Sequence, residues 1–155
     1  MSNIKARLLK PTGLEFHDTA FKIDQEIWNF IKHEYKNKSK DEQSNIPSRY
    51  WTTHAVPLHN ECWELISKIT YANSIYPTRE NELEERKMYQ QQAIGHCQNL
   101  FQLIRIMLVE IPTIDANKLS NALTLIDTEC DLLRAWKRSS KLMTNNNKSN
   151  ANIGE

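Results

Sequence analysis

The chain has 155 residues, and its 3 glycines and 5 prolines are few for a β-rich fold, which needs many turn residues. A formal net charge of +1 excludes a uniformly basic nucleic-acid-binding domain, and three widely spaced cysteines exclude a disulfide framework. The start of the chain lacks a signal-peptide-like apolar run, and no apolar stretch reaches the ~18 residues of a membrane span. We therefore expect a cytoplasmic protein with no membrane contact.

Two amphipathic helices are predicted in the first half of the chain. The first runs from a cap at Asp18 or Thr19 to about Lys36, and a polar loop follows it. The second covers roughly 51–73, with its regular part beginning near Pro57, because proline fits the first helical turn. Apolar residues recur at helical spacing in both: Ile23, Ile27, Phe30, Ile31 and Tyr35, then Leu58, Cys62, Leu65, Ile69 and Ala72.

Two further helices are predicted in the second half. Thr78 is expected to cap the third helix, Glu80 and Glu82 suit its positive start, and Pro112 ends it. Asp115 begins the fourth helix. Their apolar stripes are Leu83, Gln90, Ala93, Cys97, Leu100, Ile104, Met107 or Leu108 and Ile111, then Leu119, Ala122, Leu123, Ile126, Cys130, Leu133 and Trp136.

Four helices with short connections between the last three favour antiparallel neighbours. The sequence therefore predicts an all-α fold, an antiparallel up-down four-helix bundle over residues 17–143. Residues 1–16 are predicted to form an irregular N-terminal arm, since they contain Pro11 and Gly13. The polar segment 144–155 is typical of a disordered tail.

Two E-x-x-E units raise the possibility of a magnesium site, because helical pyrophosphohydrolases hold magnesium with acids three residues apart. If the second and third helices fold back near residues 75–76, Glu61 lies level with Gln90, and Glu82 lies ~7.5 Å further along the axis than Glu64. This separation favours solvated acids over a shared site. The four acids are Glu61, Glu64, Glu82 and Glu85.

A metal or redox site is a second alternative for the cysteines and histidines. Cys97 and Cys130 are expected to lie level on the third and fourth helices, with His54 and His96 nearby. No C-x-x-C or H-x-x-x-H spacing supports a metal site, and both cysteines fall on apolar stripes, so a core role is favoured. No nucleophile or glycine-rich phosphate motif occurs either. We predict a protein without catalytic residues, metal or cofactor.

The most polarised surface predicted from the sequence is a basic stripe near the end of the fourth helix. Its members are separated by helical offsets of 0, 3, 4 and 7, which share one face. Such a stripe can contact phosphates or an acidic protein patch. The alternative is favourable charge at a helix C-terminus. The four residues are Arg134, Lys137, Arg138 and Lys141.

Several short motifs occur along the chain from about residue 19 to 141. They are Pro47, Ser48 and Arg49, then Ala72, Asn73 and Arg79, then Leu100, Leu103, Ile104, Arg105 and Ile106, and finally Leu133, Trp136, Arg138 and Ser139. In these motifs the segment resembles the accessory variability determinant proteins of diversity-generating retroelements, and the related four-helix-bundle proteins encoded in ribosomal RNA intervening sequences. Two departures occur near the tryptophan, where Arg134-Ala135 replaces Gly-Gly and Asp131 replaces an arginine.

The resemblance implies a non-catalytic homopentamer that binds a retroelement reverse transcriptase and its template RNA, or DNA, to support mutagenic complementary-DNA synthesis. The alternative is a protein-interaction or assembly module of the same fold without nucleic-acid binding, which the near-neutral charge favours. The candidate contact residues for nucleic acid or partner are Arg79, Arg86, Lys87, Arg105, Arg134, Lys137, Arg138 and Lys141.

Overall fold

The computed structural model of the protein describes residues 13–37 and 51–143, together with Ile4 and Ala6, which are helical. Four α-helices account for most of this part: α1 (Glu15–Asn37), α2 (Val56–Ser74), α3 (Glu80–Glu110) and α4 (Ser120–Ser139). A π-helical turn, Trp51–Ala55, precedes α2, and a 3-10 turn, Ala116–Leu119, precedes α4. The predicted all-α class is confirmed. The rest of the predicted arm, the loop before Trp51 and the tail after Met143 lie outside the described residues.

Each helix packs against two neighbours: α1 and α3 both contact α2 and α4. Contacts near both ends of α1 show that it runs antiparallel to α4. Phe16 stacks on Trp136 with ring centroids 4.1 Å apart, and Glu34 binds Lys118 at 3.2 Å. The contacts of α3 with α2 and with α4 are likewise antiparallel. The four helices therefore form the predicted up-down bundle.

The core fills the space between the four helices, and the predicted apolar stripes supply most of it. All five residues of the apolar stripe predicted for α2 are buried, and so are the members of the predicted α3 stripe from Leu83 to Met107. The side chain of Tyr35 lies outside the described part. Burying a large aliphatic side chain contributes about 1.5–3 kcal/mol. The largest fully buried side chains are Ile23, Ile27, Ile31, Leu58, Leu65, Ile69, Leu100, Ile104, Met107, Leu119, Ile126 and Leu133.

Three helix starts differ from the sequence prediction. The first helix begins at Glu15, because the Leu14 carbonyl already accepts the Asp18 amide at 3.0 Å. The Thr78 hydroxyl donates to the Glu82 carboxylate instead of capping α3. Asp115 does act as a cap, accepting the Asn117 amide at 3.0 Å, but it caps the 3-10 turn that leads into α4.

The register between α2 and α3 also differs from the prediction. Glu61 contacts His96 at 2.6 Å, whereas the sequence placed it level with Gln90. The shift is about six residues, or ~9 Å along the helix. It arises because the connection from Ile75 to Arg79 is not helical and extends past the end of α2 before α3 begins. The shift moves Glu82 further from Glu64, so the four acids do not share one site.

Candidate nucleic-acid interface

Hydrogen bonds between three residue pairs hold the end of α4 and the residues after it against the N-terminal part of α3 and the segment before it. Lys137 Nζ donates to Gln91 Oε1 at 2.7 Å, Gln90 Nε2 donates to Ser140 Oγ at 2.8 Å, and the Met143 amide donates to the Pro77 carbonyl at 2.8 Å. These bonds bring cations from two separate segments to one end of the bundle. We call this set the basic end: Arg79, Lys87, Lys137, Arg138 and Lys141.

The basic end is exposed, but it is not purely basic. Arg138 and Lys141 are exposed, whereas Lys137 is half-buried because it reaches across to α3. Exposed Glu80 and Glu84 lie on the same helical row of α3 as Lys87. A phosphate approaching from the α4 side meets the cations first, and one approaching along α3 meets carboxylates as well.

The predicted single helical face is wrong for Lys141. The helix ends at Ser139, and Ser140 has extended backbone with φ −69° and ψ 125°. Lys141 therefore follows the helix as part of an extended segment, and the helical offset used in the prediction does not apply to it. Its place at the basic end comes from the Met143–Pro77 hydrogen bond two residues later.

Arg86 is turned into the structure. Its Nη1 donates to the Ile75 carbonyl at 3.0 Å, and the guanidinium lies 5.5 Å from the centre of the Trp136 ring. Burial lowers the pKa of Arg86, because the charged form loses hydration. This geometry serves to hold the α2–α3 connection against α4, and it leaves little of the guanidinium for a ligand.

Arg134 borders the basic end, and Arg105 lies away from it. Arg134 is one helical turn before Arg138 on α4. Its Nη1 is 3.7 Å from Asp131 Oδ1, and its side chain lines an open groove of about 800 Å³ between α3 and α4. Arg105 is exposed near the opposite end of α3, ~21 Å along the helix from Gln91. Of the eight predicted contact residues, the structure thus brings five together with Arg134 one turn away, and it separates Arg86 and Arg105 from them.

Histidine–carboxylate pairs join α3 to α2 and to the π-helical turn before α2. His96 Nδ1 lies 2.6 Å from Glu61 Oε1, and His54 Nε2 lies 3.0 Å from Glu110 Oε2. The two histidines expected beside the cysteine pair thus contact acids elsewhere. Within the described ranges 13–37 and 51–143, no group of three or more His, Cys, Asp or Glu side chains has the geometry of a metal site.

Glu129 is the feature that the sequence interpretation missed. Its side chain is fully buried in α4, and both carboxylate oxygens lack a hydrogen-bond partner. Burial raises the pKa of Glu129 to about 9, and Cys130 and Glu15 add to the shift. Helical spacing was the available signal, since Glu129 lies three residues after Ile126 and four before Leu133, both buried.

An exposed aromatic surface lies on the α1–α2 side of the bundle. Trp63 is 55% exposed and packs against His59, with the two ring centroids 4.4 Å apart. The ring centroids of His59 and Trp28 are 5.3 Å apart. Phe21, one helical turn from Asp24, is 46% exposed. His59 and Asp24 connect the two helices at 3.2 Å. We call Phe21, Trp28, His59 and Trp63 the aromatic surface.

No model of a known protein family matches this chain, and no curated protein or solved structure shows significant similarity to it. None of the helices in the described part has the length and apolar content needed to cross a membrane. The molecule is thus defined by its fold, an antiparallel four-helix bundle, and by the two surfaces described above.

Proposed function

We propose that this protein is a non-catalytic accessory protein of a diversity-generating retroelement, and that it binds the reverse transcriptase and its template RNA. The polymerase performs the chemistry, and the bundle organises protein and RNA around it as a homo-oligomer, with five copies as the expected number. The observation that carries the proposal is the basic end, where cations from α4, α3 and the segment before α3 meet.

Two properties of the basic end support an RNA contact. Arg138 and Lys141 are exposed, so they can neutralise RNA phosphates and release the cations condensed on the RNA. The last turn of α4 is also held in place by the Gln90–Ser140 and Gln91–Lys137 hydrogen bonds, so the cations sit on a fixed scaffold. A cation held in place loses less conformational entropy on binding.

The test is assembly of this protein with the reverse transcriptase and template RNA of the same retroelement. Sizing chromatography with light scattering should give a ternary complex for the native chain. Charge reversal at the basic end, Arg138→Glu with Lys141→Glu, should abolish it. The matched control is Lys22→Glu with Lys32→Glu, two exposed cations on α1, which should leave assembly intact. Equal loss in both variants would contradict the assignment to the basic end.

A second candidate function is a protein-assembly module without nucleic-acid binding. The aromatic surface favours it, because an exposed tryptophan packed beside further aromatic rings is typical of protein contact surfaces. In this function, a second copy of the chain binds to the aromatic surface. Trp63→Ser should lower the native mass from a multiple of 18.2 kDa towards a single chain. Tyr71→Ser, at an exposed aromatic on the same helix but outside the aromatic surface, is the control.

A further inference from the structure

Two of the three cysteines lie side by side where α3 meets α4. Cys97 is fully buried, and its Sγ is 3.4 Å from the carbonyl oxygen of Ile126, one turn before Cys130. Because Cys130 follows Ile126 by one helical turn, the two thiols are neighbours at this level, and each affects the pKa of the other. Cys130 lines the groove between the two helices, together with Arg134. The arrangement places one thiol at the groove and a second directly behind it.

The surroundings favour a reactive thiolate on Cys130. The neighbouring Cys97 thiol lowers the pKa of the Cys130 thiol and so does the Arg134 guanidinium, while burial and the carboxylates of Asp127 and Asp131 oppose the shift. Cys130 and burial raise the pKa of Cys97, which stays protonated and donates to the Ile126 carbonyl. The pair is asymmetric in access, because Cys130 lines the groove whereas Cys97 is fully buried.

We propose that Cys130 and Cys97 form a peroxide-responsive thiol pair, with Cys130 as the attacking thiol and Cys97 as the resolving thiol. The Cys130 thiolate attacks one oxygen of a hydroperoxide, the O–O bond breaks, and the alkoxide or hydroxide that leaves takes a proton from solvent. Cys130 becomes a sulfenic acid. The Cys97 sulfur then attacks the Cys130 sulfur, the S–O bond breaks, and water leaves with the Cys97 proton. The product is a disulfide that ties α3 to α4.

Cys62 provides an internal comparison. It is fully buried in α2, and burial, Asp24 and Glu61 all raise the pKa of its thiol. It has neither a second thiol among its described partners nor a cation that favours its thiolate. Since thiolates and not thiols react with peroxides, Cys62 should remain reduced while the Cys97–Cys130 pair is oxidised.

The experiment treats the full-length reduced chain with hydrogen peroxide and follows its intact mass. The expected result is a loss of two hydrogens per chain, restored by dithiothreitol, with peptide mapping that joins Cys97 to Cys130. Cys97→Ala should instead accumulate a sulfenic acid on Cys130, trapped by dimedone. Cys130→Ala should give neither product, and Cys62→Ala should behave as the native chain. Arg134→Gln should slow the oxidation several-fold.

Peptide mapping of the native chain needs no variant to fold, so it decides the proposal even if a cysteine substitution unfolds the bundle. Thiols that stay reduced in the folded chain, oxidation that falls first on Cys62, or disulfides only between chains would each overturn it. Circular dichroism during the reaction confirms that the bundle is folded while it is oxidised.

Discussion

The buried carboxyl of Glu129 should make the bundle less stable as the pH rises. In the unfolded chain this carboxyl ionises near pH 4.3, whereas in the folded chain burial raises its pKa to about 9. Between these two values the folded state holds a proton that the unfolded state has lost. A state that binds more protons loses stability as the pH rises, so the free energy of unfolding falls across this window.

The expected slope is about 1.4 kcal/mol per pH unit, since that is the free energy of one unit of pKa shift. From pH 5 to pH 8 the loss from this one group is therefore about 4 kcal/mol, a large part of the stability of a small domain. Glu129→Gln keeps the shape and removes the ionisation. It should match the native chain near pH 4 and exceed its stability by about 4–5 kcal/mol at pH 8.

Urea unfolding followed by circular dichroism, at fixed ionic strength and with reductant, measures this difference at each pH. The informative quantity is the difference between the variant and the native chain, because other titrating groups cancel in it. Glu84→Gln removes an exposed carboxylate from α3 and serves as the control, which should not reproduce the trend. A difference between Glu129→Gln and the native chain that stays constant from pH 5 to pH 8 would refute the reasoning.

Three further predictions concern stability and are checked by denaturant unfolding at one pH. Gly95→Ala should stabilise the protein by about 0.5–1 kcal/mol, because the site is an exposed helix interior where an added Cβ meets no atom within 4 Å; a loss would contradict it. Leu100→Ala should cost ~2–5 kcal/mol, whereas its exposed neighbour Phe101→Ala should cost much less. Arg86→Met should cost about 1–3 kcal/mol by leaving the Ile75 carbonyl without its donor, and an unchanged stability would show that bond to be dispensable.

The fold could be predicted from the sequence because helical spacing of apolar residues reports directly on burial. In α2 the spacing from Leu58 to Ala72 identified every buried residue. The helix ends and the register between α2 and α3 were harder to predict from the sequence. The conformation of the short segment after Ser74 sets the level at which α3 begins, and the periodicity of the flanking helices does not report on it.

The candidate site could be predicted only in part, because residue type and helical position disagree about the burial of two charged residues. Arg86 follows Leu83 by three residues and precedes Gln90 by four, so it lies on the buried stripe of α3. Glu129 has the same relation to the stripe of α4. In both cases helical spacing indicates burial, whereas the charge suggests exposure. Packing against the neighbouring residues buries these two side chains although their charges lose hydration. Helical position therefore predicts burial better than residue type does.

The most direct test of the proposed function is the salt dependence of RNA binding. Fluorescence anisotropy with a labelled single-stranded template RNA gives the affinity at several salt concentrations. If the basic end contacts phosphates, Arg138→Gln with Lys141→Gln should weaken binding and make the slope of log K against log salt shallower by about 1.4, or ~0.7 per phosphate contact. Lys22→Gln with Lys32→Gln, at two exposed cations on α1, should leave the affinity and the slope unchanged. An unaltered slope in the first variant, or no RNA binding by the native chain, would contradict the account.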